Sequence, residues 1–191
     1  MLFEDRQGFE KAINGVYVGL TDRALYGRTL SAGIIDFMAQ YYTYGSGSDM
    51  NSMVGAYRYE EDEIKAIFQS AWEKAYALIV NCNIIIEKCD AKREVLSDVY
   101  YGLYKGEAIA LRAMLHLDML RLFGPVYDDA SKTEKSIPYV TNSDSEISPL
   151  LSAEEILNFV IEDLKVALDL LKSVDPILTE GVRNESNNDG G

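Results

Sequence analysis

Gly106-Glu107-Ala108-Ile109-Ala110-Leu111-Arg112-Ala113-Met114-Leu115-His116-Leu117-Asp118-Met119-Leu120-Arg121-Leu122-Phe123-Gly124-Pro125-Val126 is the stretch from which the rest of the chain can be read. Followed back towards the amino terminus, its apolar or small positions are Leu96, Val99, Leu103, Gly106, Ala110, Ala113, Leu117 and Leu120. Steps of three and four are the period of an amphipathic helix, here over about 94–123. The middle of the seam is small, so a neighbouring helix can approach closely there. Gly124 followed by Pro125 reads as the end, with glycine for a left-handed cap and proline to prevent continuation.

Working outward, Ile64, Phe68, Ala71, Ala75, Leu78, Cys82, Ile85 and Cys89 repeat the pattern and predict a helix over 63–89. Only Asp90-Ala91-Lys92-Arg93 joins it to the next helix, which forces the pair antiparallel. Ser152-Ala153-Glu154-Glu155 is a capping box that opens a helix over 153–173, with Leu157, Val160, Leu164, Ala167 and Leu171 as its seam. Phe9, Ala12, Ile13, Val16, Tyr17 and Leu20 predict a helix over 4–21, and a shorter one is expected over 30–42. No alternating strand pattern has comparable support. The expectation is an all-α domain of antiparallel helix pairs over 1–175, followed by a polar tail at 176–191.

Two long connections remain, 41–62 and 125–151. The first holds Tyr41, Tyr42, Tyr44, Tyr57 and Tyr59, five of the thirteen tyrosines, interleaved with Gly, Ser, Asn and Asp. Long loops on a compact scaffold often carry function. Tyrosine carries an apolar ring and a hydroxyl on one side chain, so such rings can serve as contact platforms beside polar groups. The five tyrosines are therefore candidate platforms, and Asp49, Asn51 and Arg58 candidate hydrogen-bonding groups. The same rings can equally anchor the loop by packing inward.

The 191 residues are 48% hydrophobic and 26% charged, which suits a globular domain. Acidic residues outnumber basic ones 31 to 18, for a net charge of −13. That sign argues against nucleic acid and against docking on anionic lipid. One histidine, His116, and two cysteines leave little material for metal chemistry; core packing is the plainer reading of all three. Cys82 and Cys89 on one helix would stand about 10 Å apart, beyond disulfide reach. No G-x-S-x-G, phosphate loop or complete dinucleotide fingerprint occurs, and no cofactor is expected. Acidic patches at Asn142–Glu146 and Asn184–Asp189 lack the register of a helix-loop-helix calcium site. Asp118 and Arg121 suggest a local ion pair, and Glu60–Glu63 suits a helix amino terminus. No apolar run reaches the length of a membrane span, and Met1-Leu2-Phe3-Glu4-Asp5 has no secretory character. A cytoplasmic protein, or one whose targeting segment lies outside this sequence, is expected.

Gly106-Glu107-Ala108 with Arg112-Ala113, then Leu122-Phe123-Gly124-Pro125, resembles the motif of the SusD/RagB family. Supporting similarities run in order along the chain: Phe9, Ala12, Asn14-Gly15, Tyr17 and Leu20; Trp72, Ala75-Tyr76, Ile79 and Asn81; Ile137-Pro138; and Glu162-Asp163-Leu164, Ala167 and Leu170. Gly124-Pro125-Val126 departs from the family's more usual Gly-acidic-Val/Ile-Pro turn. Family members are also longer, so the chain looks like their amino-terminal part. The resemblance implies tetratricopeptide-like helix pairs and a lipid-anchored protein at the outer-membrane surface of Bacteroidetes. It further implies capture of an oligo- or polysaccharide, or in some members a peptide, for a SusC-type TonB-dependent transporter, without catalysis or cofactor. The net acidity then fits a neutral sugar better than a polyanion, though a local patch can defeat a global sum. Gly106, Glu107, Ala108, Arg112, Ala113, Phe123, Gly124 and Pro125 would then be structural. The rival reading is a helical-repeat scaffold that contacts the transporter, with the ligand site in carboxy-terminal sequence beyond this chain. A glycosidase would need an opposed carboxylate pair that the sequence does not display.

Overall fold

The computed structural model describes residues 2–42, 49–144 and 147–176. Its elements are helices α1 (Arg6–Leu20), α2 (Ile34–Met38), α3 (Met50–Gly55), α4 (Asp62–Ala91), α5 (Asp98–Phe123) and α6 (Ala153–Leu171). Strands β1 (Lys135–Pro138) and β2 (Leu150–Ser152) lie between α5 and α6, and a short 3-10 turn, Arg93–Val95, joins α4 to α5. The chain divides into two compact units, Met1–Gly15 with Ile79–Gly191, and Val16–Leu78. No helix among the described residues is long and apolar enough to cross a membrane. The tail beyond Pro176 lies outside the described residues.

In the larger unit α5 is the central rod. Residues 102, 104, 106, 108, 109, 111–113, 115, 116, 119 and 120 are all buried, so α5 hides far more than the narrow seam expected for it. It runs antiparallel to the carboxy-terminal half of α4. Lys105 Nζ and Tyr101 OH donate to Asp90 Oδ1 at 2.6 and 2.8 Å, and Arg112 Nη1 donates to Asn83 Oδ1 at 2.8 Å. Numbering falls on one helix as it rises on the other. Along α6 the helices meet at Gly106, where a Cβ would stand 2.7 Å from Leu171 Cγ and 3.2 Å from Leu170 Cβ. The small middle of the motif is what admits α6.

Two expectations about α5 are corrected at its ends. It starts at Asp98 rather than 94, because Ser97 caps it (Oγ accepts from Tyr100 N at 3.4 Å), and Val99 is left 48% exposed in the first turn. At the other end Gly124 is extended, φ −84° and ψ 168°, and is not a left-handed cap. Glycine is needed there for proximity instead, since a Cβ would lie 2.5 Å from the Leu120 carbonyl oxygen.

Helix α6 opens on the expected capping box. Ser152 Oγ accepts from Glu155 N at 3.3 Å, while Glu155 Oε2 accepts from Ser152 N at 2.7 Å and from Lys135 Nζ at 2.7 Å. Lys135 first, then the Ser152 amide, holds the Glu155 carboxyl down to about 2. Ser152 also ends β2, which pairs antiparallel with β1 through Lys135↔Ser152, Ile137↔Leu151 and Pro138↔Leu150. The two strands fall within a connection read from sequence as irregular. The inward stripe of α6 keeps Val160 and Ala167 of the expected seam, but a slight rotation buries Ile156 in place of Leu157 and leaves Leu164 44% exposed.

What selects that rotation is a buried polar hub. Arg112 Nε and Nη2 donate to Asp163 Oδ2 and Oδ1, each at 2.8 Å, so α6 must turn Asp163 inward. Tyr139 OH donates to Asp163 Oδ2 at 2.6 Å. Asn83 Nδ2 donates to the carbonyls of Val140 and Asn142 at 3.0 and 2.8 Å. His116 accepts from Val140 N at 3.0 Å and lies 2.9 Å from the Arg112 carbonyl, its ring stacked on Tyr139. The segment after β1 is thereby fastened to α4, α5 and α6 by satisfied polar groups, the condition for burying charge. Ala108 and Ala113 are fully buried, while Glu107, Phe123 and Pro125 are half-buried around this rod. Cys82 and Cys89 are free and buried, and burial pushes both thiols up to about 12. Asp118 and Arg121 form the expected local pair at 3.0 Å.

Candidate functional site

The tyrosine-rich stretch falls in the smaller unit. It is not one long loop, because α3 lies inside it, nucleated by Asp49, whose carboxylate accepts from Asn51 N and Ser52 N, each at 3.1 Å, and from Ser52 Oγ at 2.6 Å. These bonds, the Ser52 hydroxyl foremost, hold the Asp49 carboxyl below the usual carboxylate range. The helix expected over 30–42 shrinks to α2, because residues 22–32 form hydrogen-bonded turns instead. Examples are Leu25 N to Asp22 O, Thr29 N to Arg23 O and Leu30 N to Leu25 O.

Helices α2 and α3 end in the same way. After α2, Gln40 N donates to Phe37 O at 3.1 Å and Tyr41 N to Asp36 O at 3.2 Å; after α3, Tyr57 N donates to Val54 O at 3.0 Å and Arg58 N to Met53 O at 2.9 Å. This is the Schellman pattern, whose turning residue is left-handed and usually glycine. Here the turning residues are Gln40, φ 57°, and Tyr57, φ 55°. A left-handed non-glycine costs about 1 kcal/mol. Gln40 Nε2 donates to Gly55 O at 3.0 Å, which joins the two helix ends. Around them Tyr41, Tyr42 and Tyr57 are 78%, 57% and 60% exposed.

The remaining expected residues divide. Tyr59 packs inward, edge-on to Phe68 at 5.9 Å, against the core of Ile34, Met53, Val54 and Ile64. It also takes Tyr57 edge-on at 6.0 Å, and Tyr42 leans on Phe37 at 5.6 Å, so Tyr42 and Tyr57 are each braced by an inner ring. Arg58 is engaged with Glu61, its Nε donating at 3.1 Å. Asp49 is engaged as a cap. Asn51 lines a cavity of about 270 Å³ with Arg28, Ile34, Phe37 and Met50. Tyr44 lies outside the described residues. Gln40 and Phe37 are not singled out by the sequence; the one signal is position, Gln40 directly before the tyrosine pair and Phe37 one helical turn before Tyr41. A second cavity, of about 450 Å³, shares Arg28, Thr29 and Ile67 with the first and adds Asp22, Arg23, Ala24, Ala66 and Ser70. Among the described residues no three His, Cys, Asp or Glu side chains gather as a metal site.

With that geometry in hand, comparison with known proteins is decisive. The SusD-like family model described as "Starch-binding associating with outer membrane" matches residues 5–178. The chain belongs to the SusD-like family. Over 99 residues it is 35% identical to a SusD-like protein of Formosa agariphila, a match spanning 50% of this chain and 17% of that one. A solved SusD superfamily protein of Bacteroides thetaiotaomicron superposes with a TM-score of 0.70 at 20% identity, covering 87% of this chain and 37% of the other. A solved putative sugar-binding protein of Bacteroides vulgatus gives 0.65 at 22% identity, covering 87% and 37%. These likenesses confirm the all-helical fold. The chain thus spans little more than a third of the solved relatives. The family's description links SusD-like proteins with starch binding and with the outer membrane.

Proposed function

We propose that this SusD-like chain captures a glycan at the cell surface for a SusC-type TonB-dependent transporter, held at the outer membrane by a lipid anchor. The observation that carries the reading is the group of exposed rings, Tyr41, Tyr42 and Tyr57, at two helix ends joined by the Gln40–Gly55 hydrogen bond. Mechanistically, a ring face stacks on the C–H face of a sugar while the phenol hydroxyls and the Asn51 amide meet its hydroxyl rim. Backing by Phe37 and Tyr59 fixes Tyr42 and Tyr57 before the ligand arrives, which lowers the ordering cost of binding. The Asp49 and Arg58 charges act here by shaping α3 and its exit.

The test is retention of the full chain in affinity gels cast with a panel of neutral polysaccharides. Tyr41→Ala/Tyr42→Ala/Tyr57→Ala is expected to abolish retention at unchanged thermal stability. Retention equal to that of the parent would remove these rings from the site.

The scaffold reading is favoured by a different observation. The outer face of α6 exposes Ile161, Leu164 and Leu168, 47%, 44% and 60% accessible, in helical register. An apolar stripe of that kind suits a protein surface, here the transporter. Co-purification with the transporter that survives loss of glycan retention, but not Leu164→Glu/Leu168→Glu, would support this contact.

A further inference from the structure

The seven described arginines are not used alike. Arg6, Arg58, Arg93, Arg112 and Arg121 each meet a carboxylate, on Glu10, Glu61, Asp98, Asp163 and Asp118 in turn. Arg23 and Arg28 meet none among the described residues. Both side chains are exposed, so each guanidinium is open to a ligand from solvent. Both line the same cavity of about 450 Å³.

The surrounding chain holds them there. Thr29 N and Oγ1 donate to the Arg23 carbonyl at 3.1 and 2.8 Å, and Leu25 between them is fully buried. The Arg28 stem lies over Gly33, where a Cβ would stand 3.2 Å from Arg28 Cγ. The one acid in the lining, Asp22, is already satisfied, accepting from Ala24 N at 2.9 Å and pairing with Lys74 at 3.3 Å. Arg28 further lines the smaller cavity with Asn51 and Phe37, so the positive lining is continuous with the tyrosine-bearing surface.

The geometry points to an anion subsite: the cavity takes the carboxylate or sulfate ester of an acidic saccharide between Arg23 and Arg28. That the anion is carried by a sugar rests on the glycan-capture reading above. Guanidinium is suited to this task because its planar fork meets two oxyanion oxygens at once. The net charge of −13 does not forbid it, because exposed charges act over about 8–10 Å at ordinary ionic strength. The segment Val16–Leu78 holds five basic and eight acidic side chains, so most of the acid excess lies elsewhere in the sequence. The long-range field then disfavours a densely charged polymer and leaves a sparsely charged one.

The experiment titrates the full chain, with labelled arginine side chains, and follows the Nε–Hε signals by NMR. The probes are methyl galacturonoside and its methyl ester, galactose 6-sulfate and galactose, and hexaglutamate. Saturable shifts at Arg23 and Arg28 are expected with the acidic sugars, at least about tenfold tighter than with their neutral partners. Arg23→Gln/Arg28→Gln should erase the preference at unchanged circular dichroism. Response to the uronate alone or the sulfate alone supports the subsite and identifies its anion. Equal affinity for charged and neutral probes, or shifts spread over all arginines, overturns it. Tighter binding of hexaglutamate than of either acidic sugar also overturns it, in favour of an acidic protein segment. Neutral glycans retained without any acidic preference overturn the subsite and leave glycan capture standing. Acidic sugars bound here while no polysaccharide is retained overturn glycan capture and leave an anion site.

Discussion

His116 holds a single tautomer because its two nitrogens face groups of opposite kind. Nε2 accepts from Val140 N, so the proton sits on Nδ1 and is donated to the Arg112 carbonyl. A second proton would meet the Val140 N–H, and burial pushes the imidazole down to about 4 from its ordinary 6.5. Between those values the unfolded chain takes up a proton that the folded chain refuses. Stability is therefore full above pH 6.5 and falls as pH drops through the window to 4, by roughly 3 kcal/mol in all. Urea unfolding at pH 7 and pH 5 checks it, with the slope absent in His116→Gln; Glu155, held to about 2, acts only at lower pH. Equal stability at the two pH values would show that the imidazole is not confined in this way. Arg112→Met should cost about 3 kcal/mol by stranding Asp163, and Arg112→Met/Asp163→Leu should recover most of it. The family motif marks Arg112 as structural, but its partners lie 29 and 51 positions away at Asn83 and Asp163, so the hub could not be read from the sequence.

At the scale of elements, the long helices were legible and the short ones were not. The seam from Ile64 to Cys89 is buried at every position except Phe68, which is half-buried, because a long helix repeats its period enough times to be unmistakable. Helix α6 is apolar on more than one face, and periodicity cannot choose between Ile156 and Leu157 or turn Asp163 inward in place of Leu164; the Arg112–Asp163 pair does. Helices α2 and α3, of five and six residues, are too short to show a period, and β1 and β2 are shorter still. Two outcomes follow from element geometry. Gly106→Val should destabilise by about 1–3 kcal/mol, because its side chain would displace Leu170 and Leu171. Tyr57→Gly should stabilise by about 1 kcal/mol by relieving the left-handed residue, while weakening glycan retention. Chemical denaturation with parallel affinity gels reads both; a destabilised Tyr57→Gly would mean that the ring contributes more to packing than its backbone costs.

For the whole molecule, a net charge of −13 on 191 residues works against compactness. Raising sodium chloride from about 20 to about 300 mM should therefore raise the melting temperature, since the Debye length shrinks well below the molecular radius. A falling melting temperature would show that its surface ion pairs outweigh self-repulsion. Whole-chain arithmetic also leaves local charge unread, because a global sum does not show that Arg23 and Arg28 line one cavity with no carboxylate partner among the described residues. Composition averages over the chain; recognition is local. The bond from Gln40 to Gly55 carries a different implication. It closes a clasp across residues 41–54, so the aromatic display depends on its two anchoring turns and not on the length of chain between them. Gln40→Ala, which removes the clasp and leaves every ring in place, should therefore loosen the proposed grip as surely as removing a ring.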